Sequence, residues 1–561
     1  MQNIRPLLFI AWLITGFLIW QAWTEFNRPD APTFSGDVPA ADLAPAADRP
    51  QAPADVPDAS AVPAPPSAVT GAAGADPVAA PSSGQLISVS TDVLRLQIDT
   101  QGGTIVSAHL LDYPVSAGAD EPVQLLNSDP ATLFWAQSGL VSGDGNAPDH
   151  TALYQAQADS YQLRGDQIEV PLTWTDDNGL QVRKVYVLHR GSYAIDVRHE
   201  IDNNTGNDWS GAVYRQLQRI PLRGARGFSF TDISAVTFHG AAWYSPEERF
   251  EKLKFEDFES KPQSPTITGG WAAMLQHYFF AAWIPAADQV NDFSTVRVPG
   301  SNRHLIRQVA QATVVPAGAQ AVDHARLWVG PKLQKTLPDI APGLELTIDY
   351  GMFTVLSKPL FWVLDKIYTV VRNWGVAIIL ITVLIKLAFY RLSKTQYISM
   401  ARMRKMQPRL AQLKERYGDD RQKMNAAMMD LYKKEKINPL GGCLPILVQI
   451  PVFISLYWVL LESVELRQAP FVLWIQDLSA RDPYFVLPVL NGAVMWLTQK
   501  LSPSPGVDPV QKRIFQAMPI VFSVMFAFFP AGLVLYWTTN GALGLLQQWH
   551  INKRIEAGQL K

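Results

Sequence analysis

The stretch that decides the fold is residues 374–390, WGVAIILITVLIKLAFY, in which Lys386 is the single charged side chain. Its length lies at the lower end of the roughly 17 to 25 apolar residues that a helix needs to cross a bilayer. A charge inside such a segment is unfavourable unless it reaches water or a partner. The sequence therefore predicts a membrane-spanning helix that carries one buried or snorkelling lysine.

Uncharged runs also occupy residues 6–23, 443–461, 483–499 and 514–549. The last run as one helix would be about 54 Å long, too long for one crossing, and FPAG at 529–532 is the natural break. The first run follows Arg5 and ends in Trp20 and Trp23, which favours an uncleaved anchor (1–28) over a cleaved signal peptide. Six transmembrane helices are predicted, five of them within residues 374–549.

Residues 393–438 form the most basic part of the chain, with twelve Lys and Arg against five Asp and Glu, a net charge of +7. Such an excess marks a cytoplasmic loop. With six spans, residues 500–513 and the short basic tail 550–561 lie on the same side of the membrane as this loop. Both termini are therefore predicted to be cytoplasmic.

This basic loop reads as a helical hairpin, with Gly418 ending the first helix and Asp419 or Asp420 capping the second. Pro408 should kink or divide the first helix. The apolar positions of the hairpin are rich in methionine and include Met403, Met406, Met424 and Met428. A surface of flexible thioether side chains accepts varied apolar partners, although methionines at these positions also fit an ordinary hairpin core. The basic face would also attract anionic lipid or ribosomal RNA, and no DNA partner is predicted.

The first half of the chain is polar and differs in pattern. Residues 29–85 are rich in Ala, Pro, Asp, Ser and Gly, a composition typical of a flexible linker. From residue 86 to about 350 the hydrophobic period becomes two, as at 93–98, 182–188 and 193–201, with turns at Asn178-Gly179 and Gly191. An antiparallel all-β domain is predicted. Residues 357–373 then form an amphipathic helix that lies on the membrane surface or caps the β domain.

No enzyme motif stands out in the β region, which lacks a phosphate loop, a HExxH and a GxSxG. A single cysteine, Cys443, excludes an intramolecular disulfide, and the nine histidines lack metal-ligand spacing. We predict no catalytic residue, no metal and no cofactor.

Polar residues recur in the predicted spans. Thr382 lies one turn before Lys386, and later spans supply Gln449, Tyr536 and Asn540. These residues line a polar bundle interior, or they are packing contacts between helices. For Lys386, a wet cavity and snorkelling to the cytoplasmic headgroups both fit.

Several short motifs follow one another along the second half of the chain. They are QP (407–408), GDD (418–420), NPLGGC (438–443), QIP (449–451), SVELRQAP (463–470), LWI (473–475), DLS (477–479), DPY (482–484) and GLVLY (532–536). With these motifs in this order, the chain resembles the YidC-type membrane protein insertases of Gram-negative inner membranes over essentially its full length.

The resemblance implies a periplasmic β-supersandwich, similar to sugar-mutarotase folds, and a five-helix core around a hydrophilic groove. Lys386 takes the position of the groove charge, which is most often Arg in this family. Thr382, Gln449, Tyr536, Trp537 and Asn540 line the groove or the surface along which substrates slide. The implied partners are nascent membrane proteins, the Sec translocon, ribosomes and lipids.

Two other functions fit parts of the pattern. A transporter or channel would explain a buried cation, but it is expected to show paired intramembrane acids or an inverted repeat, and the sequence shows neither. A membrane-anchored periplasmic carbohydrate-active protein would explain the β domain. The many motif matches in the right order favour insertion of nascent membrane proteins over both alternatives.

Overall fold

The computed structural model describes residues 84–222, 237–417, 420–434, 444–501 and 509–557. The predicted anchor (1–28) and nearly all of the predicted linker (29–85) lie outside the described residues, as does Asp419.

Strands make up the region from residue 86 to residue 331. In chain order they are β1 Leu86–Ser90, β2 Leu94–Asp99, β3 Thr104–Pro114, β4 Pro122–Leu126, β5 Phe134–Ser142, β6 Gln155–Ala156, β7 Ser160–Gln162, β8 Gln167–Thr175, β9 Leu180–His189, β10 Ala194–Asn203, β11 Trp209–Arg219, β12 Gly240–Ser245, β13 Arg249–Leu253, β14 Thr266–Thr268, β15 Trp271–Leu275, β16 Phe279–Pro285, β17 Val290–Arg297, β18 His304–Ala310, β19 Thr313–Val315 and β20 Gln320–Pro331.

Within the described residues these strands form two sheets. The eleven-stranded sheet has the order β14-β17-β18-β11-β5-β3-β2-β1-β7, with β4 on β3 and β19 on β11. The nine-stranded sheet has the order β13-β12-β15-β16-β20-β10-β9-β8-β6. Four buried tryptophans, Trp243, Trp271, Trp283 and Trp328, contribute to the core. The predicted all-β domain is confirmed.

The sequence located several strands from local alternation of apolar residues, although in β9 every residue from Lys184 to Leu188 is buried. The predicted strands at 93–98, 182–188 and 193–201 correspond to β2, β9 and β10, and β9 pairs antiparallel with β10. Gly179 and Gly191, in the two predicted turns, have φ of 99° and 68°, a region that glycine enters without a steric penalty. One pair departs from the antiparallel prediction, since β1 pairs parallel with β7.

Helices form the rest of the described chain, joined to the β domain through short helical turns. The long helices are α1 Thr354–Val371, α2 Trp374–Ala388, α3 Tyr390–Lys405, α4 Gln407–Tyr417, α5 Arg421–Lys434, α6 Leu444–Glu462, α7 Val486–Leu501, α8 Pro509–Phe526 and α9 Ala531–Glu556. A C-terminal helical part is thus confirmed.

A helix that crosses a bilayer must be both long enough and apolar enough. Among the described residues, no single helix meets both criteria. The segments Trp374–Ala388 and Tyr390–Ser399 meet them only as a pair, and the pair is bent by 66°. The six predicted spans and the orientation of the termini therefore remain predictions.

Helix α1 has one packed face and exposed apolar residues on other faces. Phe361 and Leu364 are buried, while Val355 and Val370 on other faces are 84% and 82% exposed. Lys335 of the β domain pairs with Asp365 at 2.8 Å. One face of the helix is thus packed, and whether the helix lies on a membrane surface or caps the β domain remains a prediction.

The basic hairpin contains three helices, α3, α4 and α5, where two were predicted. Its first helix is divided at Met406 into α3 and α4, as the ring of Pro408 at the start of α4 leads one to expect. Asp420 caps α5, since its Oδ1 accepts a hydrogen bond from the amide of Lys423 at 3.1 Å.

Candidate substrate groove

Helix α2 carries two of the predicted groove residues on one face. Its N-terminus is fixed by Asn373, whose side chain accepts from the amide of Val376 at 3.0 Å and donates to the carbonyl of Phe471 at 2.8 Å. Thr382 is 1% exposed, and its hydroxyl donates to the carbonyl of Ile378 at 2.6 Å. The Thr382 proton therefore stays within the helix, and only the oxygen lone pairs are left for another donor.

Lys386 follows one turn later and is half-buried. Among the described residues, no charged side chain lies next to its ammonium group. Its Nζ lies beside helix α9, 3.6 Å from the point at which a Cβ of Gly544 would stand. The lysine therefore points towards the bundle at that position.

Helix α9 presents polar and small residues along the same face. Tyr536, Asn540 and Gly544 are spaced by four residues, so they follow one another along one side of the helix. Tyr536 is buried, whereas Asn540 is half-buried. This stripe runs from an aromatic end at Tyr536 to the Lys386 end at Gly544.

The aromatic end of the stripe meets helix α6. The ring of Phe453 stacks on Tyr536 with centroids 5.6 Å apart and meets Trp537 edge-on at 4.3 Å. Trp537 also contacts Phe526 of α8 at 5.1 Å. Gln449, half-buried, lies one turn before Phe453 on the same face of α6.

The predicted residues thus fall into two groups joined by α9. Thr382 and Lys386 belong to α2, at the Gly544 end, while Gln449, Tyr536 and Trp537 gather around Phe453 at the other end, with Asn540 between the two along α9. Of the hairpin methionines, Met406 is buried and Met424 and Met428 are half-buried. The side chain of Met403 lies outside the described residues, as does Asp419. The roles of all these residues remain predictions.

Sequence reasoning missed a set of contacts between the β domain and the segment after α6. Arg467 donates through Nη2 to the carbonyls of Pro114 and Val115 at 2.7 and 3.0 Å. Gln468 also donates to Pro114, at 2.7 Å. The only sequence signal was the charged stretch SVELRQAP between apolar runs. We call these contacts, with those of the next paragraph, the junction.

The junction also buries ionisable groups. The backbone N–H of Gln334 donates to Oε1 of Glu465 at 3.4 Å. Oε2 of Glu465 is shielded from solvent and has no hydrogen-bond partner among the described residues. Burial raises the pKa of Glu465 to about 7. Burial, with the nearby charge of Lys332 as a smaller cause, lowers the pKa of His277 to about 3, and the His277 ring contacts the carbonyl of Leu461 at 3.0 Å. His277 is therefore neutral at ordinary pH, and its Nε2–H donates to that carbonyl.

Two family profiles match the chain, one over each half. The YidC periplasmic domain matches residues 86–363, and the 60Kd inner membrane protein matches residues 366–558. The chain is 48% identical over 573 residues to a membrane protein insertase YidC of Thioalkalivibrio sulfidiphilus, covering 99% of both chains. It is 50% identical over 560 residues to the protein of that name from Alkalilimnicola ehrlichii, covering 99% of this chain and 96% of the relative.

Solved structures show weaker similarity. A crystal structure of an active YidC insertase with its first transmembrane domain resolved covers 83% of this chain and 94% of its own, with 17% identity and a TM-score of 0.37. A galactose mutarotase related enzyme from Lactobacillus acidophilus covers 44% of this chain and 97% of its own, with 10% identity and a TM-score of 0.31. Both scores are too low to establish a shared fold.

Proposed function

Because the chain belongs to the YidC family of membrane protein insertases, we propose that it takes nascent membrane proteins into a hydrophilic groove and releases them laterally into the lipid bilayer. The groove is lined by Thr382, Lys386, Gln449, Tyr536 and Asn540. A polar segment of the substrate enters it, while the apolar segment moves along α6 and α8 into lipid.

The observation that carries this proposal is the position of Lys386. Its ammonium group is half-buried beside α9, and no charged side chain of the described residues lies next to it. Such a cation lowers the free energy of an acidic client segment that reaches it. The polar stripe on α9 gives that segment hydrogen-bonding groups that lipid cannot offer. Insertion then needs neither a covalent step nor a nucleotide.

We also propose where the protein lies and what it binds. The protein lies in the inner membrane of a bacterium. Its β domain is in the periplasm, and both termini are in the cytoplasm. The basic hairpin receives clients and contacts ribosomes and anionic lipid, in agreement with its net charge of +7. The protein works alone or beside the Sec translocon.

Photocrosslinking to a stalled nascent chain tests the groove. A photoreactive amino acid at Gln449 or Asn540 is expected to give strong adducts with the polar segment of a client, because both side chains are half-buried along the proposed path. The control position is Val489 of α7, which is 64% exposed and lies on a helix outside the proposed path. Adducts of equal yield at all three positions would contradict a confined path.

A further inference from the structure

A cavity of about 420 Å³ opens on the nine-stranded sheet of the β domain. Asp323 of β20 pairs with Arg215 of β11 in the other sheet, so its side chain points into the sandwich. His324 and Arg326 of β20 line the cavity and, by the alternation of a strand, point the opposite way. The cavity therefore lies on the outer face of the sheet. Small-molecule sites in proteins have volumes of roughly 300–1,000 Å³, so a small ligand fits this cavity.

The walls of this cavity are apolar and held in place by their own contacts. The ring of Tyr244 stacks on that of Trp271, with the centroids 5.9 Å apart and the planes inclined by 10°. Trp271 is fully buried, and its indole N–H donates to the carbonyl of Pro342 at 3.1 Å. Ile284 and Ile340 add aliphatic surface to the walls. Because these walls are ordered before a ligand arrives, little conformational entropy is lost when it binds.

One guanidinium group supplies a positive charge to the cavity. Arg326 donates through Nη1 to the carbonyl of Ile340 at 3.0 Å, and its Nε lies 3.4 Å from Oδ1 of Asp196. Among the described residues, no hydrogen bond uses Nη2 of Arg326, and the side chain is 36% exposed. The guanidinium group is therefore fixed by two contacts and keeps donors for a ligand.

The groups around Arg326 favour an anion with a single charge. The carboxylate of Asp196 is already shared, because His189 and His324 lie 3.0 and 3.6 Å from it in addition to Arg326. A guanidinium group binds a carboxylate through charge-assisted hydrogen bonds. The nearby charge of Asp196 opposes the double charge of a phosphate group. The mainly apolar lining does not match the many hydroxyl groups of a sugar, which lose hydrogen bonds to water when they are buried.

We propose that this cavity is a binding site for a small apolar carboxylate, whose apolar group packs on Tyr244 and Trp271 and whose carboxylate accepts hydrogen bonds from Nη2 of Arg326. The C-terminal residue of a short peptide and a short acyl chain both have this chemistry. The cavity shares no lining residue with the candidate substrate groove, so the inference does not depend on the proposed function.

Two pairs of soluble probes test this site by isothermal titration calorimetry of the full chain in lipid nanodiscs. One pair is an acetylated dipeptide of phenylalanine and leucine with a free C-terminal carboxylate, and its amide. The other pair is hexanoate and hexanamide, and titration of empty nanodiscs corrects for partition into lipid. Each carboxylate is expected to bind about tenfold or more tightly than its amide, the effect of one hydrogen bond between charged groups.

The comparison between the two pairs identifies the source of the ligand. Tighter binding of the dipeptide carboxylate would indicate a peptide C-terminus, and tighter binding of hexanoate would indicate an acyl chain. Equal binding of carboxylate and amide in both pairs would overturn the proposal. Saturable binding of a neutral monosaccharide in place of the carboxylates would overturn the ligand class in the same way.

Two variants locate the site within the β domain. Arg326→Gln should lower the affinity for each carboxylate to that for its amide, and Ala286→Leu, which fills the cavity from a half-buried lining position, should abolish binding of all probes. Arg183→Gln is the control for the lost charge, since Arg183 donates to Glu200 at 2.6 Å away from the cavity, and Ala131→Leu adds the same bulk at an exposed position. Both controls should bind as the original protein does. Carboxylate binding that survives Arg326→Gln and Ala286→Leu would overturn the assignment of the cavity.

Discussion

Replacement of Lys386 by alanine is expected to lower insertion of a client with an acidic translocated segment by roughly tenfold or more, and Lys386→Arg is expected to retain most of the activity. Two opposite charges about 4 Å apart attract by ~4 kcal/mol at an effective dielectric constant of about 20. Lys386 is half-buried, so screening reduces that energy, but ~1.4 kcal/mol already corresponds to a factor of ten. Insertion into proteoliposomes measures the effect directly.

Arginine is the informative second variant because it separates charge from shape. It keeps the positive charge and adds a planar fork that binds a carboxylate through two hydrogen bonds. Lys553→Ala is the matched control, since Lys553 is an exposed lysine near the end of α9, with its ammonium 5.4 Å from the centre of the Trp549 ring. Its loss should leave insertion unchanged.

One outcome would contradict a role for the Lys386 ammonium in binding the client. If Lys386→Ala and Lys386→Arg insert the acidic client as well as the original protein does, the ammonium takes no part in binding. Lys386 would then serve as a snorkelling residue whose chain reaches the headgroups beyond Tyr390. The crosslinking experiment at Gln449 and Asn540 would remain a separate test of the groove.

The sequence revealed Lys386 because a charge in an apolar run stands out without any knowledge of the fold. Its neighbours could not be found in the same way. The hydroxyl of Tyr397 donates to the carbonyl of Gly544 at 3.2 Å, although the two residues are 147 positions apart, and a glycine within an uncharged run leaves no pattern. The contact exists because α3 bends back towards α9, and local periodicity does not encode that bend.

In the β domain too, local features could be predicted from the sequence, whereas contacts between distant residues could not. Strands β9 and β10 were predicted from alternating residues and from glycine turns, since both signals are local. The parallel pairing of β1 with β7, in which Val89 lies opposite Tyr161, depends on residues distant in sequence. The contact of Arg467 with Val115 spans 352 residues. Such pairings follow from the packing of whole sheets and helices, so the junction was not predicted.

The junction is expected to weaken as pH rises, because Glu465 is buried there. Burial raises its pKa from an ordinary 4.5 to about 7, while the neighbouring charges of Asp365 and Lys335 have smaller and opposite effects. A group whose pKa is raised in the folded state contributes stability that is complete below pH 4.5 and is lost as pH rises through 7. A shift of this size corresponds to roughly 3–4 kcal/mol.

Glu465→Gln should reduce this pH dependence, and the part that remains is due to Glu462, which is also buried beside His277. Glutamine keeps an oxygen that accepts the hydrogen bond from the Gln334 amide, but it carries no charge at any pH. The variant is expected to have a higher apparent Tm than the original protein at pH 8 and a similar one at pH 5, measured by tryptophan fluorescence of the full chain in detergent. The relevant comparison is between variants at the same pH, because membrane proteins often unfold irreversibly.

Glu345→Gln is the matched control, since Glu345 forms a partly exposed ion pair with Lys358 at 3.5 Å. Such pairs contribute about 0–1 kcal/mol, so its replacement should leave the fall in Tm between pH 5 and pH 8 in place. An original protein with the same Tm at both pH values would mean that water reaches the Glu465 carboxylate. A Glu465→Gln variant less stable than the original at pH 8 would mean that the carboxylate gains more from the Gln334 amide than it loses by burial.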